Sequence, residues 1–365
     1  MTDMVELRES SWRRPAVLAA VVLAGIAGWA VLRYQGEAPV SAPAAAPAPV
    51  AASAAPVAIP TVKTIPGMPP VPDAKNVYSE TATAISPALQ GDLERIYVPN
   101  LRSNDVYVVD PQAMKVVDRF KVGVSPQHIV PSWDLRTLWV TNNAEGRTDG
   151  SLTPVDPKTG KPGEAVAADD PYNMYFTPGG RSAIVVAEGR KRLDFRDPKT
   201  MIEQYSIDVP DCPGVNHADF SIDGRYAIFT CEFAGTLVKV DLVERKVLGY
   251  LKLQMPATRL KERPGAARTP AGQVWEPGES EVCTVTKGMP QDIRISPDGT
   301  RFYVADMHAD GVHIIDGDAF RQVGFIQTGL GAHGLYPSRD GKRLYVANRG
   351  PHKIHGSRRA TAGSR

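Results

Sequence analysis

The chain has 365 residues, of which 42 are Lys or Arg and 40 are Asp or Glu, and its formal net charge at pH 7 is +2. Acidic and basic residues are mixed along the chain, so the sequence contains no basic stripe that would bind nucleic acid. The length is ample for one large hydrophobic core.

The first element in chain order is an apolar run from Pro15 to Leu32. It is just long enough to span the hydrocarbon of a bilayer as a helix, and three arginines precede it. This arrangement predicts a cytoplasmic segment over residues 1–14, a transmembrane anchor over 15–34, and export of the rest. We therefore expect a single-pass protein of the cell membrane. A cleaved signal sequence is the alternative, because the small residues Ala44–Ala46 follow the run.

Residues 35–75 form the next segment, which is dominated by Ala, Pro, Val and Ser and carries little charge. This composition is typical of a semi-rigid, disordered linker rather than a folded domain. We predict that the linker holds the following domain away from the membrane.

Residues 76–350 repeat one pattern of short strands and turns. GVNHADFSIDGRYAIFTCEF (214–233) and MPQDIRISPDGTRFYVADM (289–307) each contain two strands joined by an Asp-Gly turn. Asp-Gly predicts a tight hairpin because glycine adopts positive φ without steric cost. Four alternating strands per repeat, with no helix between them, predict an all-β fold made of the four-stranded antiparallel blades of a β-propeller. The chain holds five such repeats and part of another.

The stretch YVPNLRSNDVYVVDPQAMKVVDRFKVG (97–123) resembles the YVTN-type repeat of a β-propeller family, and the resemblance extends over about residues 93–350. It implies a propeller fold that is usually seven-bladed, so this chain looks like a C-terminally truncated member. Some propellers that resemble it carry lactonase activity or redox activity with a quinone or haem. No CxxCH motif is present, so no c-type haem is expected.

Aligning the repeats places polar residues in two columns. The first column lies near the start of the first strand: His128, Asn173, His217, Asp292 and His333. The second column follows the next strand and includes Glu188, Glu232 and Asp306. The first strand of a propeller blade is innermost, so both columns should emerge on one face. We predict that these eight residues line the mouth of the central channel, and that the opposite face receives only tight turns, which leave little room for a site.

Three interpretations of this polar ring remain open. Neutral imidazoles and carboxylates can bind a transition metal, for which His128, His217 and His333 are the candidate ligands. They can also transfer protons near neutral pH. A hydrated channel lining would use the same residue types without any ligand.

Two classes of function follow from these interpretations. The first is an exported, membrane-tethered binding or scaffolding module for a protein or a cell-envelope ligand. The alternative is a propeller-type metalloprotein or enzyme, either a lactonase-like hydrolase or an oxidoreductase. The sequence contains no familiar catalytic motif, so no catalytic residue is assigned.

Cys212 and Cys231 flank the first hairpin of one repeat, at positions that face each other when the hairpin closes at Asp223-Gly224. We predict a disulfide between them, with two small buried thiols as the alternative. A third column of aspartates precedes turns and is predicted to cap their backbone: Asp110, Asp156, Asp197, Asp241 and Asp316.

Three further stretches depart from the repeat. Residues 255–287 insert proline, glycine and charged residues, which predicts a poorly ordered loop on the face of the polar ring. The first repeat begins with the strand that is second in the other repeats. Residues 351–365 show no strand pattern and are predicted to be disordered. We therefore expect an open arc of about five blades, whose unpaired edges make it prone to associate.

Overall fold

The computed structural model describes residues 61–81, 85–256 and 287–350. The predicted cytoplasmic segment, the anchor over 15–34, the linker up to residue 60, most of the inserted loop and the C-terminal tail lie outside the described residues. Within the described ranges, no helix is long and apolar enough to cross a membrane.

The strands of the described residues form six antiparallel sheets, each built from strands that are consecutive in the chain. Sheet 1 contains β1 (Ile96–Asn100), β2 (Asp105–Asp110) and β3 (Lys115–Lys121). Sheet 2 contains β4 (Pro126–Pro131), β5 (Leu138–Asn142), β6 (Ser151–Val155) and β7 (Val166–Ala167). Sheet 3 contains β8 (Pro171–Phe176), β9 (Ala183–Ala187), β10 (Arg192–Arg196) and β11 (Glu203–Asp208).

The remaining three sheets follow the same order. Sheet 4 contains β12 (Val215–Phe220), β13 (Tyr226–Cys231), β14 (Thr236–Asp241) and β15 (Lys246–Lys252). Sheet 5 contains β16 (Pro290–Ile295), β17 (Arg301–Asp306), β18 (Gly311–Asp316) and β19 (Arg321–Gln327). Sheet 6 contains β20 (Ala332–Pro337) and β21 (Leu344–Asn348). Two short 3-10 helices, Ser79–Thr81 and Pro87–Leu89, precede the first sheet.

The strand total equals the five four-strand repeats and one extra strand expected from the sequence. The boundaries between sheets differ from the boundaries between sequence repeats, because the first sheet has three strands and the last has two. Among the described residues, β1 pairs only with β2 and β21 pairs only with β20. Residues 76–81 form a turn and a short 3-10 helix rather than a strand that closes a ring.

The hydrophobic core is divided into five clusters, and each cluster lies between two consecutive sheets. Alternation along a strand assigns neighbouring residues to different clusters, because successive side chains point to opposite faces of a sheet. On β13, Ile228 packs in the cluster between sheets 4 and 5, whereas Phe229 packs in the cluster between sheets 3 and 4. Every sheet is thereby fixed by the burial of both its faces or, at the two ends, of one face.

Residues 61–81, which we call the strap, correct the predicted extent of the linker. Hydrogen bonds join the strap to the turns between the first two strands of sheets 4, 5 and 6, among them Ile65 N–H to Asp223 O (3.0 Å), Val77 N–H to Pro297 O (2.8 Å) and Arg339 Nε to Thr81 O (2.7 Å). We call the face that carries these turns the turn face. The prediction of disorder over residues 61–75 was wrong, because composition does not reveal that apolar side chains within a proline-rich stretch can pack against distant sheets.

Candidate functional site

The first strands of sheets 2 to 6 lie next to one another, and we call them the inner strands. A β-bulge occurs at the start of each inner strand: between Pro126 and His128, Pro171 and Asn173, Val215 and Ala218, Pro290 and Ile293, and Ala332 and Gly334. A bulge adds one unpaired residue and changes the direction of the side chains around it. The polar columns therefore coincide with a repeated backbone feature that lies at the end of the inner strands opposite the turn face.

Two threonines on the second strands complete these bulges. The N–H groups of His128 and His217 donate to the hydroxyls of Thr141 (3.1 Å) and Thr230 (3.2 Å). The threonines satisfy backbone donors that the irregular pairing leaves without a ladder partner. Sequence analysis missed both residues, although Thr141 lies one residue before Asn142 and Thr230 two residues before Glu232.

The register of sheet 6 corrects the position of His333 in the first column. Gly334 pairs with Ala347 as His128 pairs with Thr141, so Gly334 occupies the column position and His333 precedes it by one residue. His333 therefore belongs with Gln127, Tyr172, Asn216 and Gln291, which hold that preceding position in the other inner strands. Matching histidine to histidine was wrong here because the hairpin turn, and not the residue type, sets the register.

His128 and His217 form the centre of the candidate site. Their ring centroids are 5.2 Å apart in an edge-to-face arrangement, and the ring of Tyr172 lies 5.2 Å from His128 and 6.1 Å from His217. The Asn173 amide nitrogen lies 3.3 Å from His217 Nδ1 and donates to the Tyr175 hydroxyl at 2.9 Å. His217 Nε2 is buried and has no hydrogen-bond partner in the described part of the chain.

Asp292 lies beside this histidine pair but is already engaged. Its Oδ1 accepts from Arg294 Nη1 at 2.6 Å, and its Oδ2 accepts from the Leu335 N–H at 2.9 Å. Oδ1 also lies 3.9 Å from His217 Nδ1. Asp292 therefore links two inner strands and orients Arg294, so its oxygens are less available to a ligand than the sequence implied.

The second column divides into two groups. Glu232 accepts a hydrogen bond from the Asn216 amide at 3.0 Å, and Glu188 and Glu232 lie near enough to Tyr172 to reinforce the rise in its pKa that burial causes. Asp306 instead accepts the N–H groups of Met289, His308 and Ala309, each at 2.9 Å, and its Oδ2 lies 3.3 Å from His313 Nε2. Asp306 is therefore a structural residue of a loop, and its predicted place in the ligand site is not supported by its contacts.

Burial makes the candidate site poor in charge. It lowers the pKa of His128 and of His217 to about 3, with His217 itself adding to the effect on His128, and Arg294 to the effect on His217. Burial also raises the pKa of Glu188 to about 8, with the charge of Glu232 as the second cause. At neutral pH the two imidazoles are neutral and the Glu188 carboxyl retains its proton.

The candidate metal set of His128, His217 and His333 has no geometric support. Among residues 61–81, 85–256 and 287–350, no group of three or more His, Cys, Asp and Glu side chains is arranged to hold a metal ion. Burial and the nearby charge of Arg349 lower the pKa of His333 to about 4, so this imidazole is also neutral at neutral pH.

The structure contains the predicted disulfide and the predicted aspartate caps of the turns. Cys212 and Cys231 form a disulfide, with a Cα–Cα distance of 4.8 Å. The aspartates of the third column accept backbone N–H groups of the turns that follow them; Asp110, for example, accepts from Gln112 and Ala113. The turn face contains a cavity of about 720 Å³, although its tight turns were predicted to leave little room for a site.

Comparisons with solved structures show a similarity of fold. The structure is similar to the periplasmic gluconolactonase PpgL of Pseudomonas aeruginosa, with 18% identity, coverage of 70% of this chain and 74% of that chain, and a TM-score of 0.51. The fold is a β-propeller. A functionally unknown protein from Desulfotomaculum acetoxidans is similar over 73% of this chain and 78% of its own, with 12% identity and a TM-score of 0.51.

A third similar structure is Kuenenia stuttgartiensis hydrazine synthase, with 19% identity, coverage of 71% of this chain and 90% of that chain, and a TM-score of 0.45. No family model and no curated protein matches the chain. Membership of this β-propeller in the YVTN-type repeat family therefore stays a prediction.

Proposed function

We propose that the chain is an exported, membrane-tethered β-propeller that binds a hydroxyl-rich, uncharged ligand against the cluster of His128, His217 and Tyr172. The observation that carries this proposal is the buried His217 Nε2, which has no hydrogen-bond partner in the described residues. An unsatisfied buried polar atom costs about 1–3 kcal/mol. A ligand hydroxyl can donate to or accept from this nitrogen and so remove that cost.

The charge state of the site favours an uncharged ligand. The imidazoles of His128 and His217 are neutral at neutral pH, and burial also raises the pKa of Glu232. Neutral imidazoles, side-chain amides, a tyrosine hydroxyl and a protonated carboxyl can both donate and accept hydrogen bonds. Saccharide hydroxyls have the same dual capacity, which makes a cell-envelope polysaccharide the ligand class that fits best.

The tether is part of the same proposal and rests on the sequence. The apolar run within residues 15–34 would anchor the chain, and the Ala/Pro-rich residues 35–60 would separate the propeller from the bilayer. Deleting residues 15–34 should move the protein from the membrane fraction into the soluble fraction of the cytoplasm, because the same segment would direct its export. Retention on the membrane after this deletion would contradict the tether.

A lactonase-like hydrolase is the second candidate, and Glu188 is the observation that favours it. A carboxyl with a pKa of about 8 holds a proton at neutral pH, as a general acid must. The similar Pseudomonas aeruginosa protein is named a periplasmic gluconolactonase, which suggests lactones as the first substrates to assay. Hydrolysis of a sugar lactone that is lost in Glu188→Gln would favour this candidate over the binding module.

Saccharide binding can be tested with the full-length chain in detergent, by calorimetric titration with soluble fragments of envelope polysaccharides. We expect His217→Gln and Tyr172→Phe each to weaken binding about tenfold, as loss of a buried hydrogen bond does. Tyr205→Phe is the matched control, because Tyr205 lies on the outer strand β11, away from the site. Its ring stacks on that of Phe195 on β10, with a centroid distance of 4.5 Å. Binding that is unchanged in His217→Gln, or that is weakened equally in Tyr205→Phe, would contradict the proposal.

A further inference from the structure

The cavity on the turn face lies at the other end of the inner strands from His128 and His217. Its volume of about 720 Å³ is within the usual range of small-molecule sites. The strap forms one wall through Met68, Val71 and Tyr78. Residues at the ends of the inner strands and in the turns that follow them form the other walls. The cavity is therefore built from segments far apart in sequence, as ligand sites commonly are.

Aromatic and proline side chains dominate the walls of this cavity. The aromatic members are Tyr78, Trp133, Tyr175, Phe176, Phe220 and Tyr336. Tyr336 and Trp133 remain 71% and 43% exposed although both are large and amphipathic. Rings of this kind, exposed at a concave surface, provide stacking area for a planar apolar ligand.

The charged groups of the cavity consist of two arginines and one aspartate. Arg294 lies at the inner wall, where its Nη1 donates to Asp292 Oδ1 at 2.6 Å, and Arg339 lies at the rim. A guanidinium carries five N–H donors, and the Arg294 side chain is 29% exposed, so it retains donors for a ligand. The Asp219 oxygens accept the N–H groups of Phe220 and Ile295, each at 2.8 Å.

Arg294 is paired with Asp292 through Nη1, and its partly exposed guanidinium keeps other N–H donors for the apolar cavity. The backbone hydrogen bonds of Asp219 occupy its carboxylate, and burial is the main cause that raises its pKa, whereas Arg294 and these hydrogen bonds act in the opposite direction. Arg294 remains cationic, and a planar guanidinium matches the geometry of a carboxylate better than an ammonium does.

We propose that the turn-face cavity is a second binding site, which takes a small aromatic carboxylate. The aromatic ring would lie against Tyr336 and Phe220, and the carboxylate would accept hydrogen bonds from Arg294. The site opens on the turn face, whereas Tyr175 and the pair of Arg294 and Asp292 lie between it and His217. Its ligand does not depend on the one proposed at the channel mouth.

The proposal can be tested by titrating the full-length chain with 2-naphthoate and, separately, with 2-naphthamide, which has the same rings but no charge. We expect 2-naphthoate to bind about tenfold more tightly, because only the carboxylate pairs with Arg294. Arg294→Gln should abolish this preference while leaving weak binding of both compounds. Wild-type binding that is equal for the two compounds, or that is absent for 2-naphthoate, would overturn the proposal.

Tyr336→Ala and Tyr345→Ala form a matched pair that locates the site. The two tyrosines are cross-strand partners on β20 and β21, and both are exposed, but only Tyr336 lines the cavity. We expect Tyr336→Ala to weaken 2-naphthoate binding about fivefold or more, the order of one lost aromatic contact, and Tyr345→Ala to leave it unchanged. Equal effects of the two substitutions would place the binding elsewhere and overturn the proposal, even if Arg294→Gln does not fold.

His217→Gln separates this proposal from the proposed function. It should weaken saccharide binding at the channel mouth and leave 2-naphthoate binding unchanged. Loss of 2-naphthoate binding in His217→Gln would show that the two sites are one, which would overturn the second site.

Discussion

Glu188 lies just after β9 with its carboxyl largely removed from water, and its pKa of about 8 compares with an ordinary value of 4.5. Between these two values the folded chain binds more protons than the unfolded chain. Linkage therefore requires that stability falls as the pH rises from 4.5 through 8. The contribution of Glu188 is unfavourable above this window, where the buried carboxylate must ionise beside Glu232.

We expect Glu188→Gln to raise the free energy of unfolding at pH 9 by roughly 1–3 kcal/mol, because the amide has no charge to bury. At pH 5 the substitution should have little effect. Urea denaturation at both pH values measures this difference. Glu164→Gln is the control, because Glu164 is exposed between β6 and β7. A gain that is equal at pH 5 and pH 9 would contradict the assigned cause.

The disulfide between Cys212 and Cys231 closes a short loop around the start of β12 and the end of β13. Such a cross-link stabilises a protein by about 2–4 kcal/mol, chiefly by restricting the unfolded chain. We expect the double substitution Cys212→Ala and Cys231→Ala to lower the free energy of unfolding by this amount.

Mass mapping of peptides without reduction should find Cys212 and Cys231 linked. Cys283→Ala is the matched control, since Cys283 is the third cysteine of the sequence and lies outside the described residues. We expect its substitution to leave stability unchanged. Free alkylation of both Cys212 and Cys231 in the native protein would exclude the disulfide.

The strap packs along the turn face and forms hydrogen bonds with the turns of sheets 4, 5 and 6. Tyr78 packs with Val77 against the cluster between sheets 4 and 5, and its hydroxyl donates to the carbonyl of Ile295 at 2.8 Å. The strap therefore joins the last part of the N-terminal region to an inner strand more than two hundred positions away in the sequence.

We expect Tyr78→Phe to lower the free energy of unfolding by about 1 kcal/mol, the typical value of one hydrogen bond. Tyr78→Ala should cost about 3 kcal/mol or more, because it also leaves a cavity in the packing. Tyr345→Phe is the control, since Tyr345 is exposed on β21. Chemical denaturation measures all three, and a strap that contributes nothing to stability would make Tyr78→Ala as mild as the control.

For the whole molecule, the decisive feature is that the sheets at the two ends of the array are incomplete in the described residues, with three strands in sheet 1 and two in sheet 6. On β1, which pairs only with β2, Ile96 and Val98 are 49% and 39% exposed. An unpaired edge with exposed apolar residues is a template for pairing with another chain.

We expect the detergent-solubilised protein to associate as its concentration rises, and sedimentation velocity to show this. The double substitution Ile96→Lys and Val98→Lys should suppress association, because charged residues at an edge oppose strand pairing. Val243→Lys is the control, as Val243 is 50% exposed in the turn after β14. A sample that stays monomeric at all concentrations would contradict this expectation.

The sequence by itself determined the local features of this protein. Turn residues and strand alternation placed His128, Asn173, His217 and Asp292 in equivalent positions of four inner strands, and they placed the third-column aspartates where they cap turns. These features were predictable because φ preferences, side-chain alternation and capping act over a few residues.

The tertiary structure alone decided which of the polar groups are already satisfied. Asp292 accepts the N–H of Leu335 in the next sheet, Asp306 is occupied by its own loop, and the register of sheet 6 removes His333 from the first column. The strap and the turn-face cavity that it helps to form were also visible only in the packed structure. Burial, register and long-range hydrogen bonds depend on segments that meet only in the folded chain, so no local pattern records them.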